Sequence, residues 1–141
     1  MKIRWGRSIL AAALAELGTY IAWAVVLIVA GLIFMNPSRT QWFAYFFGQA
    51  VGIFSGFILC IFAGRWVARV SDDATKSGFV VGALCAALNV LVVLTQVGMF
   101  PPILAAGSLG RLLGGGVGGW LVHRRKKPNK PIHATREDAR A

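Results

Sequence analysis

At 141 residues, 57% hydrophobic and only 14% charged, the chain is too apolar for an ordinary soluble domain of its size. Its formal charge of +10 invites a nucleic-acid reading. The basic residues, however, flank apolar runs instead of patterning a polar face, so no nucleic acid is expected as a partner. Four runs near the roughly 20-residue length that spans a bilayer account for most of the composition: 9–34, 42–64, 79–99 and 103–122.

In chain order, residues 1–7 (MKIRWGR) form a short cytoplasmic lead whose Trp5 and basic side chains suit the membrane interface. The next run is basic and then apolar, as a secretory signal is. At 26 residues it exceeds the apolar stretch of such a signal, and Glu16 interrupts it, so the expectation is a retained first helix over about 8–34. Asn36, Pro37 and Ser38 read as a turn, because proline restricts its predecessor and cannot continue a helical ladder.

The second helix is expected over about 42–70. It opens on Trp42, Phe43, Tyr45, Phe46 and Phe47, an interfacial aromatic cluster, and then carries Gly48, Gly52, Gly56, Cys60 and Gly64 at a spacing of four. Such a stripe of small residues lets helix backbones approach closely in lipid. Arg65 and Arg69 can extend to the inner interface from its end. In 71–77 (SDDATKS), Asp72, Asp73 and Thr75 suit the start of a third helix, where negative charge is favoured. Paired aspartates could also hold a cation, but Arg65, Arg69 and Lys76 beside them favour capping and ion pairing.

The third helix, about 78–97, gathers Gly82, Ala86, Asn89, Val93 and Gln96 on one face by the helical period. A sharp turn through GMFPP leads to the fourth, 103–122, ILAAGSLGRLLGGGVGGWLV, with seven glycines and Arg111 near its middle. The remainder, 123–141, is proline-broken and charged, and is expected to be a disordered cytoplasmic tail. Five of its first eight residues are basic, a composition that attracts anionic lipid, although a topology signal alone explains it.

Thirteen of the 15 basic residues fall on one side of a four-pass arrangement. By the positive-inside rule both termini are therefore expected in the cytoplasm, in the inner membrane of a bacterium. Cys60 and Cys85 lie inside apolar runs, and His123 and His133 lie beyond the last one, so neither a metal site nor a cofactor is expected. Gly114, Gly116 and Gly119 match the dinucleotide-binding glycine pattern, but that pattern needs a strand before it and a helix opening after it. Here it is embedded in a spanning helix, and packing explains it.

One constellation carries charge into the apolar interior. A charge at that depth costs about 2.5–3.5 kcal/mol on insertion scales, so a partner is required. At about 1.5 Å per residue, Arg111 and Asn89 each lie about 17 Å from the inner boundary and Glu16 about 12 Å. Arg111 shares a face with Gly107, Gly115 and Gly118, and Glu16 shares one with Ala12, Ala13, Thr19 and Tyr20. The expected site is a Glu16–Arg111 ion pair with Asn89 and Tyr20 satisfying leftover donors and acceptors. Gln49 and Gln96, nearer the outer surface, form a second candidate pair. Gly48, Gly52, Gly56, Gly82, Gly107, Gly114 and Gly118 are the expected packing positions, with one side of the fourth helix available to a second copy.

The fold class expected is all-α: a polytopic membrane protein, built as an antiparallel four-transmembrane-helix bundle with glycine-rich packing. No hydrolytic or redox constellation is present, so no enzyme is expected. The leading functional reading is a non-enzymatic component or accessory subunit in the lipid bilayer that self-associates or joins a membrane protein partner. The alternative is a small-solute or ion transporter or channel working through Glu16 and Arg111.

Overall fold

The computed structural model describes residues 5–97 and 102–126, and over these the chain is all helical: α1 (Trp5–Phe34), α2 (Pro37–Ala68), α3 (Ala74–Val97) and α4 (Pro102–Lys126). The tail expected at 127–141 lies outside the described residues. α1, α2 and α3 are long and apolar enough to cross a membrane. α4 does not reach that hydropathy, because its seven glycines add little to it and Arg111 and the basic last turn subtract.

The helix boundaries differ from the sequence expectation for identifiable reasons. α2 starts at Pro37, not near 42. Asn36 is its N-cap, with Oδ1 accepting from the Ser38 and Arg39 N–H groups at 3.0 and 3.5 Å, and Pro37 occupies the first turn, where no N–H is needed. The turn is therefore only Met35 and Asn36. Met35 makes it possible by adopting a left-handed conformation (φ 46°) while its N–H bonds the Gly31 carbonyl at 3.2 Å. α3 likewise starts at Ala74, four residues early, because Asp73 accepts from the Lys76 N–H at 3.1 Å. That hydrogen bond, and then the Lys76 ammonium 3.1 Å away, hold the Asp73 carboxyl below its ordinary value.

At the α2–α3 junction, α4 supplies what the helix end lacks. The last carbonyls of a helix have no intrahelical donors. Lys126 Nζ donates to the Ala68 and Ser71 carbonyls at 3.2 and 2.9 Å, and Ser71 Oγ donates to the Val67 carbonyl at 3.0 Å. This is why α4 continues past residue 122 to Lys126.

Side-by-side contacts define the arrangement. α1 and α2 run antiparallel, with Gly18 against Leu59, Gly48 against the Trp23 indole and the Phe34 and Phe43 rings 5.2 Å apart. α3 and α4 run antiparallel and touch backbone to backbone: Gly78 lies on Gly115 and Gly119, and Gly82 on Arg111 and Leu112. α2 and α4 run parallel, with Gly114 on the Phe57 carbonyl and Gly118 on that of Ile61. α1 and α3 also run parallel, and the Cys85 thiol points at the Ala12 carbonyl at 3.9 Å. α1 and α4 do not pack together; their backbones stay more than 8 Å apart, Cα to Cα, throughout the described residues. The core between the other pairs is small: Ala11, Ala12, Ala15, Cys60, Ala63, Val67, Val81 and Cys85.

Between apolar helices in lipid there is no water to expel, so close van der Waals contact must hold them. Two alanine substitutions in α4 separate contact from composition. At Gly115 a methyl group would lie 2.5 Å from the Gly78 carbonyl oxygen and 2.6 Å from the Gly82 nitrogen, and backbone cannot step aside. At Gly110 it would meet nothing within 4 Å. Gly115→Ala is expected to lose about 1–3 kcal/mol in detergent unfolding, whereas Gly110→Ala should be neutral or gain up to about 1 kcal/mol.

Candidate functional site

The structure brings Glu16 and Arg111 together. Arg111 Nε donates to Glu16 Oε1 at 2.5 Å and Nη2 donates to Oε2 at 3.1 Å, a two-point match of planar fork to carboxylate. The third donor group, Nη1, reaches back to the Gly107 carbonyl one turn earlier in α4, at 3.2 Å. Both residues are withdrawn from the surroundings, Glu16 at 6% and Arg111 at 4% exposure.

Helix geometry explains how a pair forms between helices whose backbones stay apart. α2 and α3 lie between α1 and α4, and α2 presents Gly56 at the crossing level. A methyl group there would sit 3.0 Å from the Arg111 guanidinium carbon. Gly56 is thus the gap through which the arginine side chain passes to reach α1. On α1, Ala12, Ala15 and Thr19 surround the glutamate with small side chains, and Thr19 Oγ1 turns back onto the Ala15 carbonyl at 3.0 Å. A carboxylate on a face this small can be approached closely.

Among the described residues, neither Asn89 nor Tyr20 hydrogen-bonds the pair. Asn89 is buried on α3, but its Nδ2 donates to Ser108 Oγ at 3.4 Å, one turn of α4 before the arginine. Tyr20 faces outward on α1, more than a third exposed, and among the described residues it makes no hydrogen bond to either charge. Four residues on from Glu16, which already stands at the edge of the buried stripe, Tyr20 lies about 40° further round the helix and so beyond that edge. Gln49 is half-buried on α2, while the side chain of Gln96 lies outside the described residues. No group able to hold a metal ion is found among the described residues.

The expected packing glycines take different roles. Gly48, Gly82, Gly107, Gly114 and Gly118 are buried against neighbours, and Gly56 is buried against Arg111. Gly52, in the same four-residue stripe, has nothing within 4 Å of where a Cβ would stand. In α4, Gly114, Gly115, Gly118 and Gly119 all meet α2 or α3, and Gly116 meets the Phe79 ring. Ser108, the hydroxyl that engages Asn89, was legible only as a polar residue in an apolar run. Trp23, which fills the Gly48 notch, gives no sequence signal beyond its size.

At the end holding the α1 start and the α2 and α4 ends, cations lie on indole faces. Arg7 sits 5.4 Å from the Trp66 ring centre and Arg124 sits 5.3 Å from that of Trp120. The first of these links α1 to α2 at a level well below the ion pair.

Chemically, the site can lock and little else as it stands, since each charge is engaged by the other. Neutralising either partner strands a buried charge. Glu16→Gln or Arg111→Gln alone should lose about 3–5 kcal/mol in detergent melting. The double neutral variant should recover much of that loss. Two singles that melt like wild type would mean that water already reaches both groups.

Set against known proteins, the chain matches no family model, no curated protein and no solved structure. The meaning of the site therefore rests on its own geometry.

Proposed function

We propose that the chain is a four-pass membrane protein, an antiparallel bundle with both ends on the cytoplasmic side of a bacterial inner membrane. Its role in this reading is non-enzymatic: a component that associates through α1 with a second copy or with another membrane protein. The asymmetry of basic residues supports the orientation, since Arg7, Arg65, Arg69, Lys76 and Arg124–Lys126 gather where α1 and α3 start and α2 and α4 end. Supporting a membrane position for α4 is its contact with α2 and α3 along most of its length. Its arginine and all its glycines but Gly110 are faced by protein there.

The observation that carries the association reading is the position of α1. Only 11% of its most apolar 18-residue window is buried, against 33% for α3. It gives the rest of the protein a single stripe, Ser8, Ala11, Ala12, Ala15, Glu16, Thr19 and Ala30, and leaves Leu14, Leu17, Ile21, Val25, Ile28 and Leu32 outward. The α4 glycines, which the sequence suggested for a second copy, are occupied inside the chain. An intermolecular contact is therefore assigned to α1.

The alternative, a path for a solute or ion through Glu16 and Arg111, requires a charge free to meet cargo. The two-point pair and the Gly107 carbonyl already occupy the arginine on three sides. This favours a stapling role.

Cysteine chemistry tests placement and association together. Ser38→Cys should react with an impermeant thiol reagent outside intact cells, and Asn129→Cys should not. The reverse pattern would invert the orientation. In native membranes Leu17→Cys and Ile28→Cys should form disulfide-linked dimers, while Leu113→Cys on the outward face of α4 should not. Cross-linking confined to Leu113→Cys would move the interface to α4. If purified protein instead conducts ions, and the double neutral variant abolishes conduction while staying folded, the transport reading replaces this one.

A further inference from the structure

The end of the molecule opposite the basic residues carries one charge. Arg39 stands in the first turn of α2, exposed, and the sequence has no carboxylate between Glu16 and Asp72. Glu16 is committed to Arg111 and lies 18 residues before Phe34, about 27 Å along α1. Asp72 and Asp73 lie before α3, at the far end. The other two acids, Glu137 and Asp138, follow α4, which also ends there. Arg39 thus has no counter-charge at its own end of the described protein.

Beside it is a cleft of about 390 Å³, lined by Phe34, Ser38, Arg39, Trp42 and Phe43 and open along one side. Its walls are aromatic: Phe43 lies 5.2 Å from Phe34 across the hairpin and stacks on Phe47 at 4.3 Å, and Trp42 leans on Phe46 at 4.7 Å. Guanidinium and hydroxyl at the rim of an aromatic slot match an anion attached to an apolar chain. Neither a soluble anion nor a neutral hydrocarbon would use both halves.

We propose that this hairpin cleft binds one anionic phospholipid, with the phosphate on Arg39 and Ser38 and an acyl chain along Phe34, Trp42 and Phe43. The site is separate from the basic end of the chain, whose attraction to anionic lipid needs no cleft. It rests on the membrane placement proposed above, and on neither orientation.

The test is native mass spectrometry of full-length protein extracted from membranes and offered equal phosphatidylglycerol and phosphatidylcholine. Wild type should retain one phosphatidylglycerol in preference. Arg39→Gln should reduce that preference about fivefold, the effect of one surface cation on an anionic lipid. Trp42→Ala should lower retention of both lipids while leaving the preference. Equal retention by wild type, or an undiminished preference in Arg39→Gln, overturns the site, the latter by assigning the lipid to the basic end. Protein that leaves membranes without detergent would instead refute the membrane placement itself, so the two failures are distinguishable.

Discussion

The Glu16–Arg111 pair is the interaction that joins α1 to α4, two helices whose Cα atoms stay more than 8 Å apart throughout the described residues. α2 and α3 fill the space between α1 and α4, and the long arginine side chain reaches across with a planar fork that meets both carboxylate oxygens. Its path exists because α2 has a glycine at the crossing level and because the α1 face carrying Glu16 is made of alanine and threonine. A buried ion pair is weak evidence for stability, since removing two charges from water costs several kcal/mol each before any attraction is gained. Its better-attested use is to specify register. Here the pair ties α1 to α4 at one level, alongside the contacts that α1 makes with α2 and α3.

Glycine serves the same arrangement differently. α3 and α4 meet through Gly78, Gly82, Gly115 and Gly119 with backbone atoms in direct contact, and α2 meets α4 through Gly64, Gly114 and Gly118. Dispersion attraction is small per atom pair and falls steeply with a gap of half an ångström. Close approach over several turns is therefore how helices without large interlocking side chains adhere in an apolar medium. The largest fully buried side chains are only Val67, Val81, Cys60, Cys85 and Ser8, so shape at the backbone does the work that leucine and phenylalanine do in soluble cores. Most large apolar side chains point outward, while Leu104 is buried and Leu59, Leu84 and Leu88 pack against the core.

The two ends of the molecule differ in chemistry as much as in charge. One is tied by Lys126 on the α2 carbonyls and by arginines on Trp66 and Trp120. At the other, a two-residue turn closes α1 onto α2, with Met35 in a left-handed conformation and Asn36 capping the next helix. Such a tight turn brings Phe34 against Phe43 and leaves the aromatic cleft beside Arg39 as its by-product.

How much of this was legible in the sequence follows from what each part depends on. Length and hydropathy determine that the chain is helical with spans long enough for a membrane, because an apolar medium leaves backbone groups no partner outside a helix. They also identify Arg111 and Glu16 as the buried charges, since no other acidic or basic residue falls inside an apolar run. Helical period put Arg111 on the glycine face. Period alone did not say that Gly56 would be the opening, that Asn89 would turn to Ser108, or that Tyr20 would face outward. Those outcomes depend on which helices are neighbours and at what height, and that is decided by contacts between residues far apart in the chain. The same holds for the α4 glycines: a sequence counts them, but only the packing of α2 and α3 against them shows that none of Gly114, Gly115, Gly116, Gly118 and Gly119 is left for a second copy.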